Sequence, residues 1–217
     1  LLEGALPSQI DNAIEAFGLN MGPFRMMDLI GLDLGWRARK LAGVDSPLTN
    51  KIADTLCENE RFGQKNSKGF YNYSEGSRAP NPAPENEEIY FKISEENGFT
   101  RREISDEEIV DRCILALVNE GAKILQEGVA QRASDMDIVY INGYGFPVWR
   151  GGPMFYANSL GLDKVLEKLK GFQEIDSDFW KPADLLEKLA KDELKFGEAP
   201  DINERKGKMK FPDIVGY

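Results

Sequence analysis

The stretch Gly22-Pro23, seven residues, then Gly31-Leu32-Asp33 recurs as Gly152-Pro153, seven residues, then Gly161-Leu162-Asp163. Upstream, Glu3-Gly4 matches Glu127-Gly128, and Ser8-Gln9-Ile10-Asp11 matches Ser134-Asp135-Met136-Asp137. The blocks keep their order while the offset grows from 124 to 126 and then 130, so the chain reads as a tandem duplication with small insertions. Whatever one copy folds into, the other must fold into as well.

Each copy reads as helices. Ser8-x-x-Asp11 has the form of a capping-box variant, with Ile10, Ile14 and Phe17 following at helical spacing and Gly18 as a C-cap. Gly22-Pro23 starts a second helix, since proline's missing N–H costs nothing in a first turn. Phe24, Met27, Leu29 and Ile30 follow, and Gly31-Leu32-Asp33 restarts the chain into a helix running to Ala42. The repeat also decides an ambiguous stretch. Asp137 to Gly145 alone could be a strand entering a glycine-rich nucleotide turn, but Val148 stands where the third glycine of G-x-G-x-x-G belongs. Its counterpart, Ile10 to Phe17, has a helical pattern, so a helix is expected in both.

The longest expected helix runs from Ser105, its cap with Glu108 at the third position, to Glu127, with a broad apolar face from Ile109 to Leu125. In copy one only Leu1 and Leu2 precede the matching Glu3. About 20 residues, or ~30 Å of helix, are therefore expected to be missing there. The chain reads as starting inside a helix, with an uncovered apolar face through which it could self-associate. Ser74 to Asn97, with Pro80, Pro82 and Pro84, reads as a surface linker. Asn66 to Gly69 reads as a turn leading into a short aromatic strand, and Pro182 to Leu194 as a helix. Beyond Gly171 no partner in copy one is recognisable. The expected organisation is a first unit over 1–75, a linker over 76–104 and a second unit over 105–217. The expected fold is all-α, with two similar helical units packed as a pseudo-two-fold pair.

Composition removes several chemistries. The chain has no histidine, which excludes Ser-His-Asp and Cys-His nucleophile systems and any histidine base. Two cysteines without CxxC spacing point to no disulfide framework or zinc site, and no metal is expected. A net charge of −10 argues against nucleic acid. The basic knots at Lys65 with Lys68, at Arg101-Arg102 and at Lys206 to Lys210 read as solvated surface. No apolar run approaches the roughly 20 residues of a membrane span. A reducing compartment is expected, the cytoplasm, or the peroxisome if the source is eukaryotic.

Met21 to Trp36 resembles the C-terminal helical domain of 3-hydroxyacyl-CoA dehydrogenases. Arg61 to Tyr73 resembles the Gly-Gln-Lys-x-x-Lys-Gly-Phe-Tyr signature that closes that domain, with Ser67 where glycine is common. Asn142 to Asn158 resembles the second, tandem copy found in multifunctional fatty-acid β-oxidation enzymes. The resemblance implies NAD-dependent oxidation of a 3-hydroxyacyl-CoA to the ketone. It also implies a preceding Rossmann domain that holds NAD, and a His–Glu dyad with an assisting Asn. None of those positions is in this sequence, so the expectation is a chain with no catalytic residue and no cofactor site of its own. On the same resemblance Met21, Pro23 and Phe24 would line the acyl pocket, with the Asn142 loop reaching in from copy two. Some relatives carry a tyrosine at the position of Asn142.

Three readings stand at this point. One is the C-terminal fragment of a β-oxidation dehydrogenase, inactive alone, with acyl-CoA and the missing Rossmann domain as partners. Another is a free-standing helical scaffold or dimerisation protein. The last is an unrelated helical-repeat binding protein.

Overall fold

The structure, a computed structural model, describes residues 1–199; the basic knot at Lys206 to Lys210 lies outside them. The chain divides into two units, Leu1–Ile109 and Val110–Tyr217. Among the described residues there are ten α-helices and one two-stranded ribbon. The fold is all-α.

The first unit holds α1 (Pro7–Phe17), α2 (Pro23–Ile30), α3 (Asp33–Ala42), α4 (Leu48–Glu58) and α5 (Glu87–Glu96). Between the last two, β1 (Asn72–Tyr73) pairs antiparallel with β2 (Pro80–Asn81), Asn72 facing Asn81. Helix α6 (Asp106–Glu127) runs from the end of this unit into the second, where α7 (Ala133–Gly143), α8 (Pro153–Leu160), α9 (Leu162–Phe172) and α10 (Asp184–Lys191) come after it. Proline opens α1, α2 and α8 at the first turn, and Gly18 ends α1 at φ 122. Ser105 accepts the Glu108 N–H at 3.1 Å, which makes it the cap read from the sequence.

Several expectations need correction. The stretch 76–104 is not a surface linker: it contains α5, whose Tyr90 and Ile93 are buried in the first unit's core beside Leu56 and Cys57. The prolines misled here because Pro84 opens a 3-10 turn that leads directly into the helix. Residues 1–6 are not the end of a helix. The Leu1 and Gly4 carbonyls accept from the Arg101 guanidinium, the Leu2 carbonyl accepts from the Ser94 hydroxyl, and the Glu3 carbonyl accepts the Arg102 N–H. The knot at Arg101-Arg102 is therefore structural, as is Lys65, which pairs with Asp33.

Ser8 and Ser134 cap nothing, since α1 begins at Pro7 and α7 at Ala133, each serine lying inside its helix. The repeat also extends past Gly171. Helix α10 ends as α4 does: Glu60 (φ 56) and Glu193 (φ 55) turn left-handed, and the next N–H in each returns to a leucine carbonyl, Arg61 to Leu56 and Leu194 to Leu189. The two tails share this turn and, at a common offset of 133, its Leu56/Leu189 and Glu60/Glu193, too few identities to mark the match in the sequence.

Each unit has its own apolar core. In the second unit Val118, Ala122, Met154, Val165, Leu169 and Leu186 are wholly buried, with Trp180 beside them. In the first unit Leu56, Cys57, Phe70, Tyr71 and Tyr90 form the centre. Burial pushes the Cys57 thiol up to about 12. Only the thiolate attacks disulfide reagents, so Cys57 in the native chain is expected to stay unlabelled by an aromatic disulfide at pH 8. It should react fully once urea unfolds the first unit. Labelling in the native state at the unfolded rate would contradict this.

Candidate functional site

The repeated words of the sequence meet at a helix corner. Asp11, buried on α1, accepts the N–H of Phe24 at 2.9 Å and of Arg25 at 3.0 Å, the second and third residues of α2. Those N–H groups have no partner within their own helix, and a carboxylate there also faces the positive end of the helix dipole. In the second unit Asp137 does the same for α8, accepting from Met154 at 2.7 Å and Phe155 at 3.2 Å. The aspartate read as part of a local capping box thus caps the next helix. The glycine before each proline belongs to the same device. A side chain on Gly22 would overlap the Cβ and Cα of Asp11, and one on Gly152 those of Asp137.

Helix α2 is inverted relative to its expected apolar face. Its one buried residue is Asp28, while Met27, Leu29 and Ile30 are exposed. The reason lies in the 69–73 turn. Asp28 accepts the N–H groups of Phe70 (2.9 Å) and Tyr71 (3.0 Å) and the hydroxyl of Tyr73 (2.9 Å). Tyr71 reaches on to donate to Asp11 at 2.6 Å. Arg61, also buried, donates to the Gly69 carbonyl at 2.9 Å and to Asn72 at 2.8 Å, and pairs with Glu85 at 3.0 Å. The signature Arg61 to Tyr73 is therefore a lock on two buried carboxylates. Burial raises the pKa of Asp11 and Asp28 against the pull of these donors, and the burial of Tyr71 and Tyr73 beside the carboxylates raises the phenols. In the second unit Asn158 stands at the place of Asp28 in the repeat and accepts the Phe196 N–H at 3.0 Å.

The residues expected to wall an acyl pocket fall on this framework. Met21, Pro23 and Phe24 lie together at the α1–α2 corner, half-buried, and Phe24 packs edge-on against Phe70 at 4.6 Å between ring centroids. Asn142 belongs to the second unit. It lies in the last turn of α7 rather than in a loop, exposed, with its amide donating to the Ile138 carbonyl at 2.9 Å. Asp28, Tyr71 and Tyr73 are not singled out by the sequence, and Asp11 stands out there only as part of a capping box. The available signal was Asp11 and Asp137, which recur upstream of Gly-Pro in both copies.

None of the described residues forms a dinucleotide cradle. That cradle needs a strand running into a glycine turn and a helix, whereas Asp137 to Gly143 is helical and the strands are two residues each. Among the described residues no helix is long and apolar enough to cross a membrane, and no group of three or more acidic, cysteine or histidine side chains could hold a metal ion.

What the two corners define is a duplicated helical domain. The chain belongs to the 3-hydroxyacyl-CoA dehydrogenase family: the family model for "3-hydroxyacyl-CoA dehydrogenase, C-terminal domain" matches residues 1–73 and 109–200. The peroxisomal bifunctional enzyme of Danio rerio is 42% identical over 206 residues, 87% of this chain and 29% of that protein. Its Homo sapiens counterpart is 41% identical over 207 residues, 88% of this chain and again 29% of that protein. This chain thus spans under a third of the curated relatives it matches. Among solved structures, the dehydrogenase part of multifunctional enzyme 1 from C. elegans superposes with a TM-score of 0.68 at 31% identity, covering 85% of this chain and 42% of that one. A 3-hydroxybutyryl-CoA dehydrogenase from Escherichia coli shares the fold, with a TM-score of 0.61 at 19% identity over 87% of this chain and 55% of that one.

Proposed function

We infer that this chain is the tandem C-terminal helical region of an NAD-dependent 3-hydroxyacyl-CoA dehydrogenase of fatty-acid β-oxidation, and that it performs no oxidation alone. The observation that carries this is the paired corner. Both segments matched by the family model hold the aspartate-to-helix cap, and neither holds a histidine or a dinucleotide turn. Met21, Pro23 and Phe24 form an apolar wall for the acyl chain, as suits a fatty tail, and Asn142 is a substrate contact of the second copy. NAD binds to a Rossmann domain of the same polypeptide, not to these residues. The second copy serves as the scaffold that a separate subunit would otherwise supply. Relatives are named as peroxisomal, and the peroxisome is the compartment assigned here.

The test is NADH absorbance with a 3-hydroxyacyl-CoA substrate, beside calorimetry with NAD. The chain alone is expected to give no turnover above background and no NAD heat. Adding a separately produced Rossmann domain from a close relative is expected to restore measurable turnover. Turnover by the chain alone would overturn the reading.

A further inference from the structure

The second unit contains a cleft of about 270 Å³ that the proposed acyl wall does not include. One side is α6, through Leu117, Gly121 and Ile124; the other is α7, through Val139 and Tyr140. Its floor is two thioethers, Met136 and Met154, both buried. Gly121 shapes that floor: a Cβ there would stand 2.6 Å from the Met154 sulfur, so the Met154 side chain would have to shift. Flexible, polarisable methionines accept chains of varied shape. The rings of Tyr140 and Tyr144, 5.1 Å apart, form a lip.

The charged side chains lining this cleft are both carboxylates, Glu120 and Asp135. Their own cations, Lys123 at 3.5 Å and Arg132 at 3.4 Å, are surface neighbours three residues away in the chain, weak pairs that a ligand can compete with. The phosphates of a CoA thioester, or a fatty carboxylate, would meet like charge here. We propose that this cleft binds a single alkyl chain carrying a cationic head group, the chain on Met136 and Met154 and the head between Glu120 and Asp135. This site is independent of the acyl wall in the first unit and does not depend on the dehydrogenase reading.

The test is a titration of the full chain, its six methionines labelled at the methyl carbon, with decyltrimethylammonium, decanol and decanoate below their micellar concentrations. Saturable shifts of the Met136 and Met154 methyls are expected with decyltrimethylammonium, at least tenfold tighter than with decanoate and with decanol between them. Glu120→Gln should weaken the ammonium several-fold and leave decanol unchanged. Val139 is half-exposed, so Val139→Lys tests the charge without disturbing the core and should reverse the order, decanoate becoming the tighter ligand. Equal affinity for the three heads, no saturable shift at these two methyls, or shifts spread over all six would overturn the proposal.

Discussion

Asp28→Ala is expected to unfold the first unit in conditions where the parent chain is stable. The substitution leaves three buried donors, the Phe70 and Tyr71 N–H groups and the Tyr73 hydroxyl, with no acceptor. At roughly 1–3 kcal/mol for each orphaned group, the loss is about 3–9 kcal/mol, against a total of about 5–15 kcal/mol for a domain. Urea unfolding followed by Trp36 fluorescence measures it, since Trp36 packs against that core. Asn158→Ala in the second unit removes the acceptor of one N–H only and should cost about a third as much. Equal losses at the two positions would show that the lock at Asp28 is not what holds the 69–73 turn. Burial raises the pKa of Asp28 above the usual 3.8. The folded state therefore holds that proton more tightly than the unfolded chain, and stability from this group is greatest below pH 3.8 and declines as pH rises through the raised value. Acid alone should not release the lock.

Gly152→Ala is expected to have the second large effect. Gly152 sits at φ 94, a conformation L side chains rarely adopt, and a Cβ there would overlap Asp137. Strain and overlap together should cost more than about 4 kcal/mol. Loss of the buried Trp180 signal at lower urea reports it in the second unit. Gly22 has ordinary backbone angles, φ −70, so Gly22→Ala meets the overlap alone and should cost about 3 kcal/mol in the first unit. Gly43 supplies the control: φ is 62 with nothing within 4 Å of the added carbon, and Gly43→Ala should cost only about 1–2 kcal/mol. A Gly152→Ala loss no greater than that of Gly43→Ala would mean that the corner relaxes and is not a tight fit.

Helix boundaries set by local chemistry were legible in the sequence. Pro23 and Pro153 open helices, Gly18 and Gly31 close them, and Ser105 caps α6, because each acts within one turn of its own position. Features that depend on distant partners were not. Asp11 looks like a cap for the helix that carries it, yet its partners lie on the next one. Asp28 sits among Met27, Leu29 and Ile30, and nothing local says that the carboxylate turns inward while they face out. Helix α5 was hidden by the prolines before it, although Tyr90 and Ile93 have the spacing of a buried face. The apolar character of the α1–α2 corner was readable from Met21, Pro23 and Phe24. Its geometry, with Phe24 against Phe70, depends on a chain reversal more than forty residues long that no window of sequence contains.

In the first corner the carboxylate and the capped N–H are 13 residues apart along the chain, and in the second 17. The capping distances nonetheless agree within a few tenths of an ångström, 2.9 Å and 2.7 Å. The four extra residues of the second corner fall in its loop, which holds the Val148–Arg150 turn with Trp149 turned to solvent. Such a loop is a natural graft site. A foreign peptide inserted between Gly145 and Gly151 would leave both anchors of the corner in place. A single residue added to α7 between Asp137 and Gly143 would instead rotate the rest of that helix by about 100° and swing the loop away from α8.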